Sequence, residues 1–305
     1  MTYIADQDYA VLHPKGATAQ AGRISEPPGC SAVEGKLVIA PLKTFITLTA
    51  FLLTAAFAIQ TFSWANLALM MGLTITFLWL GDSLGLHRLL IHRSFRCPLW
   101  LENILVTCGT LAGLGGPYDA IRIHDERDWA QRQPACHPFF AHANNYPGDL
   151  THQLFFNFKF DHGPVIDTRK GLENRALLEW QTRYWWAPQL ILAALLLPFG
   201  WGAVIWGVAV RLTVSLIGHW TGVYLTHRFG TMPHINEGDA VQGRNLPALV
   251  TLITFGETLH NNHHAYPRSA KLNYTPHSYD LSYWLIQRLA KVGLAWNILV
   301  PEQHR

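Results

Sequence analysis

Four long apolar stretches divide this chain, and they occur as two closely spaced pairs. The short turn within each pair contains neither Lys nor Arg, whereas basic residues are frequent in the rest of the chain. A helix needs roughly 20 apolar residues to cross a bilayer core, with about 17 as the lower limit. The pattern therefore predicts four transmembrane helices, each extending about a turn beyond its apolar stretch. The predicted spans are residues 44–60, 64–80, 185–199 and 203–224.

The distribution of positive charge predicts the orientation of these helices, because basic loops mark the cytoplasmic side of a membrane. We therefore expect both termini to be cytoplasmic, at the inner membrane if the protein is bacterial. Residues 1–40 read as a flexible N-terminal tail and residues 41–305 as one membrane domain. The predicted fold class is an all-α integral membrane protein whose segments 85–184 and 225–305 form a cytoplasmic helical cap. A soluble helical bundle with buried helices is the alternative.

Two features inside the apolar regions refine this arrangement. Arg211 lies within the fourth stretch, and a charge at that depth must face protein or water instead of lipid. Residues 99–116 are also apolar, but Glu102 and several glycines interrupt them. That segment is better explained as a helix on the membrane surface than as a fifth span.

Composition supports a lipid environment and excludes several classes of function. Half of the 305 residues are hydrophobic and 14% are charged, whereas a soluble domain carries about 25% charged residues. A net charge of +3 without a basic run gives no reason to expect nucleic acid as a partner. The four cysteines form no CxxC pair, which argues against a disulfide framework or a zinc ribbon. The absence of a GxGxxG fingerprint argues against a nicotinamide or flavin domain within this chain.

Histidine is the most abundant candidate ligand, with 16 copies in the chain. Three clusters lie in the predicted cap, and the last of them contains His260, His263 and His264. Residues three and four apart share a helix face, so these three histidines form a potential multidentate metal ligand. Imidazole binds iron, copper, zinc and nickel, and the ligand type alone does not choose the metal.

The other histidines pose a geometric question. His87 and His92 are five residues apart, which is about 140° around a regular α-helix. Either the helix ends between them or they serve different metals. His124 and Asp128 share a helix face. His219 stands near the end of the fourth span, where an unpaired polar side chain is costly, and it is therefore a functional candidate.

Two of these motifs resemble those of the integral membrane fatty acid desaturases, particularly the acyl-CoA (stearoyl-CoA, Δ9) type. Residues 85–95 read GLHRLLIHRSF and residues 254–264 read TFGETLHNNHH. His219 stands where that family has an additional histidine, although Ser215 replaces the asparagine expected four residues earlier. The middle motif departs from the family's HxxHH, because only His124 is kept in the segment HDERD. Arg127 cannot ligate a metal, since its guanidinium stays protonated, whereas a carboxylate such as Asp128 can.

The resemblance implies an oxygen-dependent fatty acyl desaturase with two non-haem irons and O2 as co-substrate. The implied metal ligands are His87, His92, His124, Asp128, His219, His260, His263 and His264. Residues that would orient these ligands are Asp125, Glu126, Glu257, Asn261 and Asn262. Candidates for contact with the substrate headgroup are Arg93, Arg96 and Arg175.

The implied partners are membrane lipid and an acyl chain carried by CoA, a carrier protein or a lipid. An external electron donor such as ferredoxin, rubredoxin or cytochrome b5 is also implied. The altered middle motif leaves open a related di-iron oxidation, namely hydroxylation or decarboxylation of a lipid or hydrocarbon. A non-catalytic membrane protein that binds metal or lipid is a further alternative. A zinc hydrolase is disfavoured, because catalytic zinc usually takes three protein ligands and not the seven or eight implied here.

Overall fold

The chain is built mainly from helices, and the computed structural model describes residues 9–12, 22–274 and 278–301. Most helices are α-helical throughout. The second helix, however, changes to π geometry over Phe77–Ile91, and the eighth contains a π segment over Ile205–Val210. The helices are α1 Pro41–Phe57, α2 Trp64–Ile91, α3 Leu99–Leu111, α4 Pro117–Gln131, α5 Tyr146–Phe155, α6 Ala176–Arg183, α7 Ala187–Phe199, α8 Trp201–Arg228, α9 Ala248–Ile253, α10 His260–Ala265 and α11 Leu281–Lys291.

Two of these helices, α2 and α8, are long and apolar enough to cross a membrane. Each contains 28 residues and reaches a mean hydropathy of 1.6. The hydroxyl of Ser63 caps α2 by accepting a hydrogen bond from the backbone N–H of Asn66, which explains why the helix begins there. Shorter apolar helices, α1 and α7, occupy the places of the other two predicted spans. The structure is therefore helix-rich, with two candidate spans, and α2 continues well past its predicted end at residue 80.

The π geometry of α2 coincides with a close approach to α3. In a π-helix each backbone N–H bonds to the carbonyl five residues earlier, which makes a wider turn than in an α-helix. Gly81 and Gly85 lie on this segment, and a Cβ added at either position would overlap the backbone of Cys108 or Leu105. Glycine is therefore required at both positions for the two helices to touch along their backbones.

Six short strands lie in the described part of the chain, so the prediction of an all-α fold is wrong in this respect. They form three two-stranded sheets, one parallel and two antiparallel. Strands of two to five residues with little alternation of polar and apolar positions give no clear sequence signal. The pairs are β1 Tyr9–Leu12 with β6 Ile298–Pro301, β2 Ile24–Ser25 with β5 Val165–Ile166, and β3 Gly35–Ile39 with β4 Phe156–Phe160.

Part of the segment expected to be a flexible tail is therefore regular structure. Strands β2 and β3 anchor residues 22–40 to the segment that follows α5. Ile24 and Leu37 pack against an aromatic cluster that contains Trp129 and Phe140. Residues 1–8 and 13–21 of the expected tail lie outside the described residues.

Arg211 is fully buried within α8, as its position in an apolar stretch requires. Its guanidinium donates to the carbonyls of Gly207 at 2.8 Å and Leu111 at 2.6 Å, and to the side chain of Gln189. It also lies 5.0 Å from the centre of the Phe77 ring, within the range of a cation–π contact. The prediction that this charge faces protein is confirmed.

The contact between α2 and α3 can be tested with a matched pair of glycine substitutions. We expect Gly85→Ala to destabilise the protein by about 1–3 kcal/mol, because the added methyl group must displace the backbone of α3. Gly72→Ala is the control, since it lies on the α-helical part of α2 with nothing within 4 Å of the added Cβ. It should be neutral or stabilising by at most about 1 kcal/mol. Thermal unfolding in detergent measures both, and equal unfolding temperatures would contradict the close contact.

Candidate metal centre

Two groups of histidines lie side by side where α2, α4, α8 and α10 meet. In each group the ring nitrogens that could bind an ion all lie within 4.8 Å of one another. The rings of His260 and His263 are 5.4 Å apart between centroids, so the groups are adjacent. This arrangement has room for two ions close together. The first group is His87, His92, His124 and His263, and the second is His227, His260 and His264.

The π geometry of α2 brings His87 and His92 into the same group. The backbone N–H of His92 donates to the carbonyl of His87 at 3.0 Å, which closes a turn of five residues. A spacing of five therefore returns to nearly the same helix face, whereas in an α-helix the two rings would diverge. The helix ends at Ile91, which lies between the two histidines as one of the two expected options allowed, and its π geometry brings His92 to the face of His87.

Helix α10 supplies ligand candidates to both groups. His260 and His264 are four residues apart and face the second group together, with their Nε2 atoms 3.1 Å apart. His263 faces the first group, where its ring centroid lies 4.7 Å from that of His87. The motif HNNHH was expected to form one multidentate ligand, but the structure divides it between two sites.

His227 belongs to the second group, although His219 was the histidine of α8 expected to be a ligand. His219 is in neither group, and its Nδ1 lies 3.0 Å from the Asp82 carboxylate between the two long helices. A signal that could have found His227 is its position at the end of α8. His87 likewise occupies the last turns of α2, whereas His219 lies two turns earlier in its helix.

The hydrogen bonds of His227 define which of its nitrogens can ligate. Its Nδ1–H donates to the Val223 carbonyl at 2.7 Å, so Nε2 carries the lone pair. The amide of Gln131 donates to that Nε2 at 3.1 Å. An ion in the second group would bind this lone pair in place of the Gln131 amide.

The spacing of the ring nitrogens fits metal ligation. An ion about 2.1 Å from two imidazole nitrogens, at an angle of about 90–110°, requires those nitrogens to be roughly 3.0–3.4 Å apart. The Nε2 atoms of His92 and His124 are 3.2 Å apart, and those of His260 and His264 are 3.1 Å apart. The residues present therefore fit an ion in each group.

Burial keeps the imidazoles outside the long helices in the form that binds metal. The pKa values of His92, His260 and His263 lie well below the ordinary value, chiefly because burial disfavours the charged ring and next because neighbouring histidines repel it. Burial likewise lowers the pKa of His264 to about 3, although the nearby carboxylate of Asp128 opposes the shift. These rings are neutral near pH 7, and a metal ligand must be neutral imidazole.

Glu257 holds His87 in place from the side opposite the first group. One carboxylate oxygen lies 2.5 Å from His87 Nδ1, and the other accepts hydrogen bonds from Ser83 at 2.5 Å and from Arg88 at 3.1 and 3.2 Å. Burial alone would raise the pKa of Glu257, but His87 and Arg88 lower it below its ordinary value. Arg88 also pairs with Asp280 at 2.9 Å, which extends the network to the start of α11. Glu257 is thus an anion in contact with the His87 ring.

The four residues after His124 in the middle motif point to different partners. Arg127 donates to His142 Nε2 at 2.6 Å, and the His142 ring stacks on His227 with centroids 4.7 Å apart. Arg132 donates to Asp128, whose carboxylate is buried beside the second group but is not one of its three members. The remaining two residues bond to arginines: Asp125 to Arg23, and Glu126 to Arg122.

The other residues expected near the site have structural contacts. Asn261 bonds to the backbone of residues 234 and 243, and Asn262 bonds to Asn245 and to the backbone of Leu272, so both fix the loops around α10. Arg175 pairs with Glu102 at 2.8 Å, which neutralises its charge. Arg93 donates to the backbone of residue 170, and the backbone of Arg96 forms a bridge with residue 296.

Comparison with known proteins points to one family. A model of the fatty acid desaturase family matches residues 62–296. The chain is 32% identical, over 81% of its length, to the sn-1 stearoyl-lipid 9-desaturases of Synechocystis sp. and Anabaena variabilis. The matches cover 76% and 89% of those two proteins. An sn-2 palmitoyl-lipid 9-desaturase of a Nostoc species is 31% identical over 78% of this chain and 83% of its own length.

Substituting the two histidines of α8 distinguishes the geometric assignment from the one based on sequence. We expect His227→Ala to lose about half of the bound metal, because the second group retains only two of its three imidazoles. His219→Ala should retain both ions, since its ring contacts Asp82 instead. Elemental analysis after anaerobic reconstitution with ferrous iron measures the difference. The opposite result would return the ligand role to His219.

Proposed function

Because this chain belongs to the fatty acid desaturase family, we propose that it inserts a double bond into lipid-linked acyl chains at a pair of iron ions. The predicted fatty acyl desaturase activity, which makes the protein an oxidoreductase, is confirmed by the similarity to acyl-lipid 9-desaturases. The iron, the form of the substrate and the electron source are parts of the proposal.

The observation that carries the proposal is the pair of adjacent histidine groups. Seven imidazoles from four helices converge in two sets, with nitrogen spacings suited to metal ions. A structural zinc site takes four ligands and a catalytic one takes three. The two adjacent groups together offer seven imidazoles, which is more than either kind of zinc site uses. This number supports a dinuclear centre.

Iron is the metal whose chemistry the desaturase reaction needs. When bound, two irons would supply the activation of O2 that allows hydrogen to be removed from an unactivated methylene. The side chains of the protein hold the ligands in place: Glu257 fixes the ring of His87, and the Val223 carbonyl fixes that of His227. The protein also buries four of the seven rings, those of His92, His227, His263 and His264, which keeps bulk water away from them.

Electron balance requires an external donor. Removing two hydrogens from the acyl chain provides two electrons, whereas reduction of O2 to two waters consumes four. The other two electrons must come from a reductant, and we propose that a carrier protein delivers them. We propose ferredoxin, rubredoxin or cytochrome b5 as the class of donor.

A glycerolipid-linked chain is the favoured substrate form. The relatives with 31–32% identity carry names that specify stearoyl-lipid or palmitoyl-lipid substrates. This shifts the expectation away from the acyl-CoA type suggested by the motifs. Arg93 and Arg96 stay candidates for the headgroup, whereas the pairing of Arg175 with Glu102 makes it a weaker one.

The proposed topology follows from where the long helices end. The first and second groups lie at the C-terminal ends of α2 and α8, which the positive-inside rule assigns to the cytoplasm. The shorter α1 and α7 would complete four spans, with both termini cytoplasmic in an integral membrane protein.

The role of Asp128 can be tested by its effect on metal binding. Its side chain is 5% exposed and lies close enough to His264 to oppose the lowering of that pKa. We expect Asp128→Ala to lower iron occupancy, and Asp128→His to keep part of it, since imidazole also binds iron. Asp119→Ala is the control on the same helix, because Asp119 is 38% exposed and is paired only loosely with Arg122. Unchanged iron content in Asp128→Ala would remove this residue from the centre.

The substrate form can be tested by following labelled acyl chains in a bacterial host that expresses the protein. We expect labelled stearate to become monounsaturated after it is esterified to membrane glycerolipids, because the relatives are acyl-lipid enzymes. His263→Ala is the inactive control, since it removes a ligand candidate of the first group. Gas chromatography with mass spectrometry of separated lipid classes provides the measurement. A double bond that appears first in acyl-CoA would contradict the lipid-linked substrate, and a hydroxylated product would identify the related oxidation.

A further inference from the structure

Arg23 enters the protein interior from the N-terminal segment and pairs with Asp125 of α4. Its Nε and Nη2 atoms donate to different oxygens of the Asp125 carboxylate, at 3.0 and 2.9 Å. Arg23 is 6% exposed and Asp125 is fully buried. A bidentate pair of this kind has a defined direction as well as a favourable energy. Removing either partner would leave an uncompensated buried charge.

This ion pair lies directly beside the first histidine group. Asp125 follows His124 in α4, and its Oδ1 is 3.9 Å from His124 Nδ1. That Nδ1 atom is buried without a hydrogen-bond partner among the described residues. The buried ion pair is therefore adjacent to His124 of the first group.

The backbone around Arg23 is anchored on both sides. The Arg23 carbonyl accepts a hydrogen bond from the backbone N–H of Asp167 at 2.9 Å, and the ammonium group of Lys170 donates to the carbonyl of Gly22. Immediately afterwards, β2 pairs with β5. Arg23 thus projects from a fixed piece of chain, which allows it to impose a position on α4.

From this geometry we infer that Arg23 is a positioning residue of the metal centre: through Asp125 it sets the rotation of α4 that brings His124 into the first group. Pairing both oxygens of Asp125 with a guanidinium also keeps this carboxylate from competing with imidazole for an ion. The inference rests on the proposed metal centre. It assigns a function to a segment that precedes residues 62–296, the part of the chain matched by the family.

The inference is tested by titrating the full-length, detergent-purified protein with Co2+ and recording its visible absorption spectrum. We expect Arg23→Gln to weaken the binding of one of the two ions by about 10- to 100-fold, the usual effect of removing a residue that orients a ligand. The spectrum of that ion should also change, because the direction of His124 changes. Arg23→Lys, which keeps the charge but loses the bidentate geometry, should lie between Arg23→Gln and the unsubstituted protein. Arg169→Gln is the control, since this exposed arginine pairs with Glu179 at the surface and should leave both ions unaffected.

The outcomes separate this inference from the proposed function. Two bound ions with unchanged affinity and spectrum in both Arg23→Gln and Arg23→Lys would overturn the role of Arg23 and leave the metal centre standing. An equal weakening of both ions, together with a lower unfolding temperature before cobalt is added, would identify a purely structural role and would also overturn it. If Arg23→Gln does not fold, Arg23→Lys provides the test. Weaker binding of one ion with a changed spectrum supports the role of Arg23, and unchanged affinity and spectrum overturn it. Failure of the unsubstituted protein to bind any ion would overturn both proposals.

Discussion

The constraint on which this structure depends is that several imidazole rings must remain uncharged while they lie close together in a largely buried region. Each protonated ring would repel the others, and each buried charge would lose its hydration. Burial and mutual repulsion therefore act in the same direction, and they keep the rings of His92, His260, His263 and His264 neutral near pH 7. The ring nitrogens then converge with lone pairs available, which is the state that a metal ion requires.

Such convergence requires four helices to be fixed relative to one another. Helix α2 is held by its backbone contact with α3, and its His87 ring is held by the Glu257–Arg88–Asp280 network. Buried charges are tolerable in that network because each carboxylate faces a guanidinium and further hydrogen-bond donors. The same principle holds at α4, where Arg23 and Asp125 neutralise each other. The charged side chains next to the histidine groups therefore lie in buried ion pairs.

Much of the candidate site could be predicted from the sequence, because its ligands lie in short motifs. The number and spacing of the histidines in residues 87–92 and 260–264 indicate metal ligands. The apolar stretches indicate where the long helices lie. His227 was missed because one helix carries two histidines, and only the three-dimensional packing shows which of them meets α10. Asp82, the partner that occupies His219, lies 137 residues away in the chain.

Other features of the fold have no local sequence signal at all. The pairing of Arg23 with Asp125 joins residues 102 positions apart, so no local pattern in the expected tail indicates it. The strands that anchor this segment are as short as two residues, too short for a pattern of alternation to be recognised. Long-range ion pairs and short strands are decided by the whole fold, and the composition of the segment does not reveal them.

The π geometry of α2 gives a structural meaning to the number of residues between two histidines. In an α-helix, ligands that share a face are spaced by three or four, so a metal-binding pair with four intervening residues needs a wider turn, as in α2, or a helix that ends between the two residues. In this protein the spacing HxxxxH therefore corresponds to a π turn at the end of α2. A protein with HxxxH at this position could hold the same ion on an ordinary α-helix, and one deleted residue would be enough to interconvert the two designs. Insertions and deletions in this helix therefore act as changes of geometry, and an alignment that treats them as neutral gaps would misplace the ligands.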